Sequence, residues 1–113
     1  TLSNISGGIW ILAEQKNGRI LRISYELISR GVPLAKKRQV SLNCMIFSAG
    51  LPDSELQSLI DCGSDNVVSF EASVLENFLV EPYSKCMLDV IDRFKPEVIL
   101  AGATSTGRLL CLT

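Results

Sequence analysis

No histidine occurs in the 113 residues of this chain. Without imidazole a Ser-His or Cys-His nucleophile pair cannot be assembled, so a hydrolase of triad type is excluded. The commonest nitrogen ligand for zinc is missing too. The four cysteines, Cys44, Cys62, Cys86 and Cys111, form no C-x-x-C pair, and so zinc spacing is absent and no metal site is expected. They read as reduced thiols used as small apolar residues, which suits a cytoplasm-like compartment. Charge of one sign is also scarce: 11 Lys and Arg against 12 Asp and Glu leave a net charge of −1. A nucleic-acid partner, which demands a basic face, is not expected. No apolar run approaches the roughly 20 residues that span a bilayer, so no membrane partner is expected either. The opening TLSNISGG lacks the basic and apolar regions of a secretory signal.

What the chain does contain is a core. Apolar residues make up 47% and charged residues 20%, the balance of one globular domain spanning residues 1–113. IWILA, starting at Ile9, is a continuous apolar run of the kind buried on both faces of a parallel sheet. Asn17-Gly18 marks a tight turn and ILRI a short extended return. A helix follows, with Ser24 as its N-cap, Glu26 in its first turn and the cationic KKR run, Lys36 to Arg38, as its solvated end. Pro33 predicts a kink there, or a helix that stops near Gly31 and restarts.

VSLNCMIFSAG and NVVSFEA read as further strands, with a helix between them started by Pro52 and Asp53, faced by Leu56, Leu59 and Ile60, and ended by Gly63. EPYSKCMLDVIDRFKP is a helix whose Tyr83, Met87, Ile91 and Phe94 form an apolar stripe toward the sheet. Asp89 and Asp92 on that helix are not four apart and make no catalytic carboxylate pair, and Trp10 is expected in the core. EVILAGA is the fourth strand. The order β-α-β-α-β-α-β predicts an α/β fold: a doubly wound parallel sheet sandwich with helices on both faces.

Ligands of open α/β sheets sit beyond the carboxyl ends of the strands. Two stretches reach that rim. One is GATSTGR after the fourth strand, where Gly102 and Gly107 permit close backbone approach, Thr104, Ser105 and Thr106 offer hydroxyls, and Arg108 can pair with a phosphate. It matches neither G-x-x-x-x-G-K-[ST] nor G-x-G-x-x-G. Its plainer reading is a turn in which Ser105 or Thr106 caps the next helix. The other is Glu14, whose plainer reading is a polar strand end facing solvent.

Four stretches together, IWILAEQKNGRILRISYELISRG, SLIDCGSDNV, LENFLVEPYSKCMLDVI and KPEVILAGATSTGRLL, resemble the N-terminal domain of the electron-transfer flavoprotein alpha subunit. The resemblance implies an adenine-nucleotide α-hydrolase-like fold and a scaffold or subunit-interaction role, not an enzyme. It implies a partner beta subunit that carries AMP or a second flavin. It also implies FAD in the intact heterodimer, held mostly by a C-terminal domain absent from this chain, so no cofactor-binding residue is expected here. Electrons would pass between dehydrogenases and a further acceptor, in the bacterial cytoplasm or the mitochondrial matrix. On this reading GATSTGR is a structural turn inherited from a nucleotide-binding fold.

Two departures accompany the resemblance. Leu109 stands where the family usually has Asp, with no Pro-Arg after it, and Pro33 falls in what is usually a helix. Leu109, Leu110, Cys111 and Leu112 look like an unfinished apolar element, so the fragment is expected to self-associate or to dock this tail on itself. The alternative function is a free-standing adenine-nucleotide-binding domain of universal-stress-protein type. A receiver-like domain would need Asp at the strand ends where Glu14, Gln15 and Glu71 stand.

Overall fold

The computed structural model describes residues 7–72, 75 and 80–102. Four parallel strands form the sheet: β1 (Ile9–Ala13), β4 (Leu42–Ser48), β5 (Asn66–Glu71) and β6 (Val98–Leu100). Between β1 and β4 the chain inserts a two-stranded hairpin, β2 (Gln15–Lys16) and β3 (Arg19–Ile20), and then helix α1 (Arg22–Arg38). Helix α2 (Asp53–Asp61) joins β4 to β5, and α3 (Val80–Phe94) precedes β6. The expected β-α-β-α-β-α-β order and doubly wound sheet are both present, and the hairpin is an addition to them.

The alternation of residues along the strands decides which helix covers which face. Ile9, Ile11 and Ala13 of β1, with Leu42, Cys44 and Ile46 of β4, point to one side, where Leu27, Ile28 and Ala35 of α1 and Leu59 of α2 pack on them. Trp10, Leu12, Met45, Phe47 and Val68 point to the other, under Tyr83, Val90 and Phe94 of α3. Trp10 is fully buried, its ring centroid 5.0 Å from that of Phe94.

Helix α1 runs unbroken through Pro33, so the expected interruption at Gly31 does not occur. Ile28, Gly31 and Ala35 are buried on either side of the proline. Their packing outweighs the roughly 3 kcal/mol penalty of an interior proline. Gly31 is what brings the helix so close: a Cβ there would lie 2.8 Å from Leu42 Cδ1 and 3.2 Å from Ile11 Cδ1. The helix ends as the sequence indicated, with Lys36, Lys37 and Arg38 in its last turn, and Gln39 closes it in the left-handed region at φ 56°.

Two apolar stripes differ from expectation. On α3 it is Val90 that is buried, while Ile91 is 43% exposed. At 100° per residue, the position seven after Tyr83 returns to within about 20° of it, whereas the position eight after it is about 80° away. On α2 Leu59 is buried and Ile60 is 41% exposed. Cys44 lies in the core, where burial pushes its thiol up to about 11, and Cys62 is exposed rather than apolar filling.

Candidate functional site: the crevice between β1 and β6

The strand order is β5-β4-β1-β6. From β1 the chain steps outward to β4 and β5, then crosses to the far side of β1 to add β6, so the order reverses between β1 and β6. That is the switch point where open α/β sheets form their ligand crevice, at the carboxyl ends of the strands. Glu14 follows β1 and Gly102 follows β6, so both rim positions singled out in the sequence come to this one crevice.

Glu14 does not face solvent as a plain strand end would; it is 7% exposed. Its carboxylate is turned toward β6, with Oε2 lying 3.3 Å from where a Cβ on Gly102 would be placed. That same Cβ would lie 2.7 Å from Ile23 Cγ1. Glycine at 102 therefore serves close approach: the end of β6 lies against Ile23 in the first turn of α1 and beside the Glu14 carboxyl group.

Ser24 closes the floor of the crevice. The sequence suggested it as the cap of α1, but the helix begins at Arg22 after Leu21, and no side chain caps it. Ser24 is the third residue of the helix and is fully buried. Its hydroxyl accepts a hydrogen bond from Glu14 N at 2.8 Å and donates to Glu14 O at 3.2 Å. Leu21 N donates to the same carbonyl at 2.8 Å. The backbone at the end of β1 is thereby satisfied within the chain, which a buried strand terminus requires. Glu26 lies beyond the first turn and pairs with Arg22 at 3.7 Å.

The opposite flank is tied by Gln15 and Tyr83. Gln15 Nε2 donates to Phe47 O at 3.3 Å, and Tyr83 Oη donates to Leu75 O at 3.0 Å, with Phe47 O a further 3.4 Å partner. Burial pushes the Tyr83 phenol up; its hydrogen bond with Gln15 partly offsets this, and the nearby Glu14 carboxylate adds to it. Tyr83 was placed in the apolar stripe by periodicity, but its hydroxyl role had no signal in the sequence, because the carbonyls it reaches belong to distant segments.

Of the GATSTGR candidates, Thr104, Ser105, Thr106, Gly107 and Arg108 lie outside the described residues, as does the 109–112 tail. The described wall of the crevice presents a carboxyl oxygen beside Gly102, and the Glu14 N–H donates to Ser24 Oγ. Among the described residues no group of His, Cys, Asp and Glu could hold a metal ion, and no helix is long and apolar enough to cross a membrane. Asp89 is paired with Arg93 at 3.4 Å, an ordinary helix-surface contact.

Known proteins share this sequence pattern. Over 101 residues the chain is 31% identical to the electron transfer flavoprotein subunit alpha of Clostridium acetobutylicum, covering 89% of this chain and 30% of that protein. It is 34% identical over 100 residues to the subunit of the same name from Thermoanaerobacterium thermosaccharolyticum, covering 88% and 30%. The acryloyl-CoA reductase electron transfer subunit beta of Anaerotignum propionicum is 34% identical over 100 residues, covering 88% and 27%. The chain thus spans under a third of the length of these relatives. The family described as electron transfer flavoprotein domain matches residues 9–112, from the first residue of β1 through the switch-point crevice and beyond, and this chain belongs to it.

Proposed function

We propose that this chain is the amino-terminal α/β domain of an electron-transfer flavoprotein alpha-type subunit and acts as a scaffold that docks a beta-type subunit. The intact heterodimer passes electrons through FAD between dehydrogenases and a further acceptor. The FAD is held mainly by a carboxyl-terminal domain of the same subunit, and a second nucleotide, AMP or a flavin, belongs to the beta partner. The domain itself carries no catalytic group and works in the cytoplasm. Its similarity to subunits named for electron transfer supports this reading.

The observation that carries the scaffold role is the Glu14 carboxyl group set close against the end of β6. Where a nucleotide-binding relative of this fold needs backbone N–H groups and open space for phosphate, this chain sets the Glu14 carboxylate, the Ile23 side chain and the Ser24 hydroxyl. A phosphate there would meet the buried Glu14 carboxyl group in place of a row of N–H donors. Calorimetric titration with AMP, ATP and FAD tests it. No binding is expected with any of the three. Micromolar AMP or ATP binding that weakens in Arg108→Ala would overturn the scaffold reading and make GATSTGR a working phosphate loop.

A further inference from the structure

Of the five asparagines in the sequence only Asn17 is followed by glycine; Ile5, Cys44, Val67 and Phe78 follow the others. A Cβ on the following residue crowds the backbone nitrogen, so only the Asn17-Gly18 step leaves that nitrogen open to reach the asparagine side chain. The step forms the tip of the β2–β3 hairpin. Asn17 and Gly18 take φ values of 53° and 77°, the two positive values that a two-residue hairpin turn needs. Asn17 is exposed, and nothing lies within 4 Å of where a Cβ on Gly18 would be. Among the described residues neither the Asn17 side-chain amide nor the Gly18 N–H makes a hydrogen bond. Asn43 differs on every count: it is fully buried, and its Oδ1 accepts from Asn66 Nδ2 at 2.9 Å.

The base of the hairpin is held. Ile20 is buried, its N–H donates to Glu55 Oε1 at 3.1 Å, and Gln15 Nε2 donates to Phe47 O at 3.3 Å. The tip is not held. Register turns Lys16 and Arg19 outward as an exposed facing pair, and like charges so placed weaken a two-stranded ladder. Opening confined to the tip therefore costs little. The same two cations favour the ionised form of the amide nitrogen between them. We propose that Asn17 is a site of self-modification, gated by opening of this tip. The Gly18 nitrogen gives its proton to hydroxide and attacks Asn17 Cγ; the Cγ–Nδ2 bond breaks, and the side-chain nitrogen takes a proton from water and leaves as ammonia. Water then opens the five-membered succinimide on either side. Cleavage at Cγ leaves aspartate, and cleavage at the Asn17 carbonyl carbon leaves isoaspartate, whose main chain is one methylene longer. Nothing is oxidised or reduced, and water is the sole co-reactant. A lengthened main chain cannot keep the pairing that a two-residue turn fixes, so the isoaspartate form loosens the hairpin down to its Ile20 anchor. This inference does not depend on the electron-carrier reading.

The test is peptide mapping by mass spectrometry of the whole chain, kept folded at mildly alkaline pH and sampled over weeks, with isoaspartate scored by enzymatic methylation. Conversion of amide to acid is expected at Asn17, with isoaspartate among the products, while Asn43 and Asn66 keep their amides. Lys16→Glu gives the hairpin an opposite-charge pair and takes a cation from the tip, and is expected to slow conversion by about threefold or more. The isoaspartate form, separated by ion exchange, is expected to exchange its Ile20 amide hydrogen faster than the unmodified chain. Asn17→Asp carries the same charge on an ordinary backbone and is expected to exchange Ile20 at the wild-type rate. An amide at Asn17 that lasts as long as those at Asn43 and Asn66 would overturn the proposal. So would aspartate without isoaspartate, which marks direct hydrolysis, Lys16→Glu converting as fast as wild type, or an Ile20 amide that exchanges no faster in the isoaspartate form.

Discussion

Replacing Ser24 separates two accounts of the start of α1. In Ser24→Ala the hydroxyl that accepts from Glu14 N at 2.8 Å and donates to Glu14 O at 3.2 Å is gone. The carbonyl keeps its bond from Leu21 N, so what is lost is the Ser24 acceptor of the buried Glu14 N–H. That penalty is about 1–3 kcal/mol, offset by about 0.5 kcal/mol because alanine is the better helix former. A net loss of about 1–2 kcal/mol is expected, which at a urea slope of about 1–2 kcal/mol per molar lowers the unfolding midpoint by roughly 1 M. Gln57→Ala, which removes an exposed helix-surface bond to Asp61 Oδ1, is the control and is expected to change little. Ser24→Asp is the sharper variant. A helix-capping serine would accept aspartate with no loss. A fully buried serine beside the Glu14 backbone would not, because an uncompensated buried charge costs at least about 3 kcal/mol. An aspartate variant as stable as wild type by urea denaturation would refute the sealing role assigned to Ser24.

Further outcomes are expected elsewhere. The Arg38 guanidinium at 3.0 Å, together with Gly8 N–H, holds the Glu97 carboxyl below its ordinary value of 4.5. Its folded value is thus the lower one, so its contribution is fully present above about pH 4.5 and fades as pH falls through the folded value. The difference in urea midpoint between wild type and Glu97→Gln is therefore expected to shrink from pH 7 toward pH 3; a constant gap would contradict this. Val90→Ala is expected to cost about 1.5–3 kcal/mol, by the transfer and cavity terms for a fully buried side chain. Ile91→Ala, at a position 43% exposed, is expected to stay within about 0.5 kcal/mol of wild type, and the reverse ranking would refute the Val90 register. The outward Lys16–Arg19 pair is expected to make Lys16→Glu stabilising by about 0.2–1 kcal/mol, read from the same urea curves.

What could be read from the residues is what local chemistry decides. IWILA and the apolar centre of β4 read as strands buried on both faces, and Asn17-Gly18 as a tight turn, and the structure has both. The alternation of strand and helix then implied the doubly wound sheet. Of the two expectations at Pro33, the break in the helix was wrong because propensity knows nothing of the sheet against which Ile28, Gly31 and Ala35 are pressed. Ile91 was misread because its spacing from Tyr83 looks helical but overshoots the buried stripe that Val90 occupies.

At the crevice, Glu14 and Gly102 were found as rim residues from their place after strands. Their contact was not readable, since it depends on β6 lying next to β1, and strand order is a tertiary fact. The same holds for Ser24. A serine ahead of an apolar periodic stretch looks like a cap, but the turn of chain through the hairpin brings it to the end of β1 instead, where a buried N–H needs an acceptor.

The most direct test of the scaffold reading is a calorimetric titration of this chain with a purified electron-transfer flavoprotein beta-type subunit from the same organism. Saturable one-to-one binding, unaffected by AMP added to this chain beforehand, is the outcome expected of a domain that docks its partner and holds no nucleotide. No heat with the beta-type subunit, alongside binding of AMP to this chain alone, would contradict it.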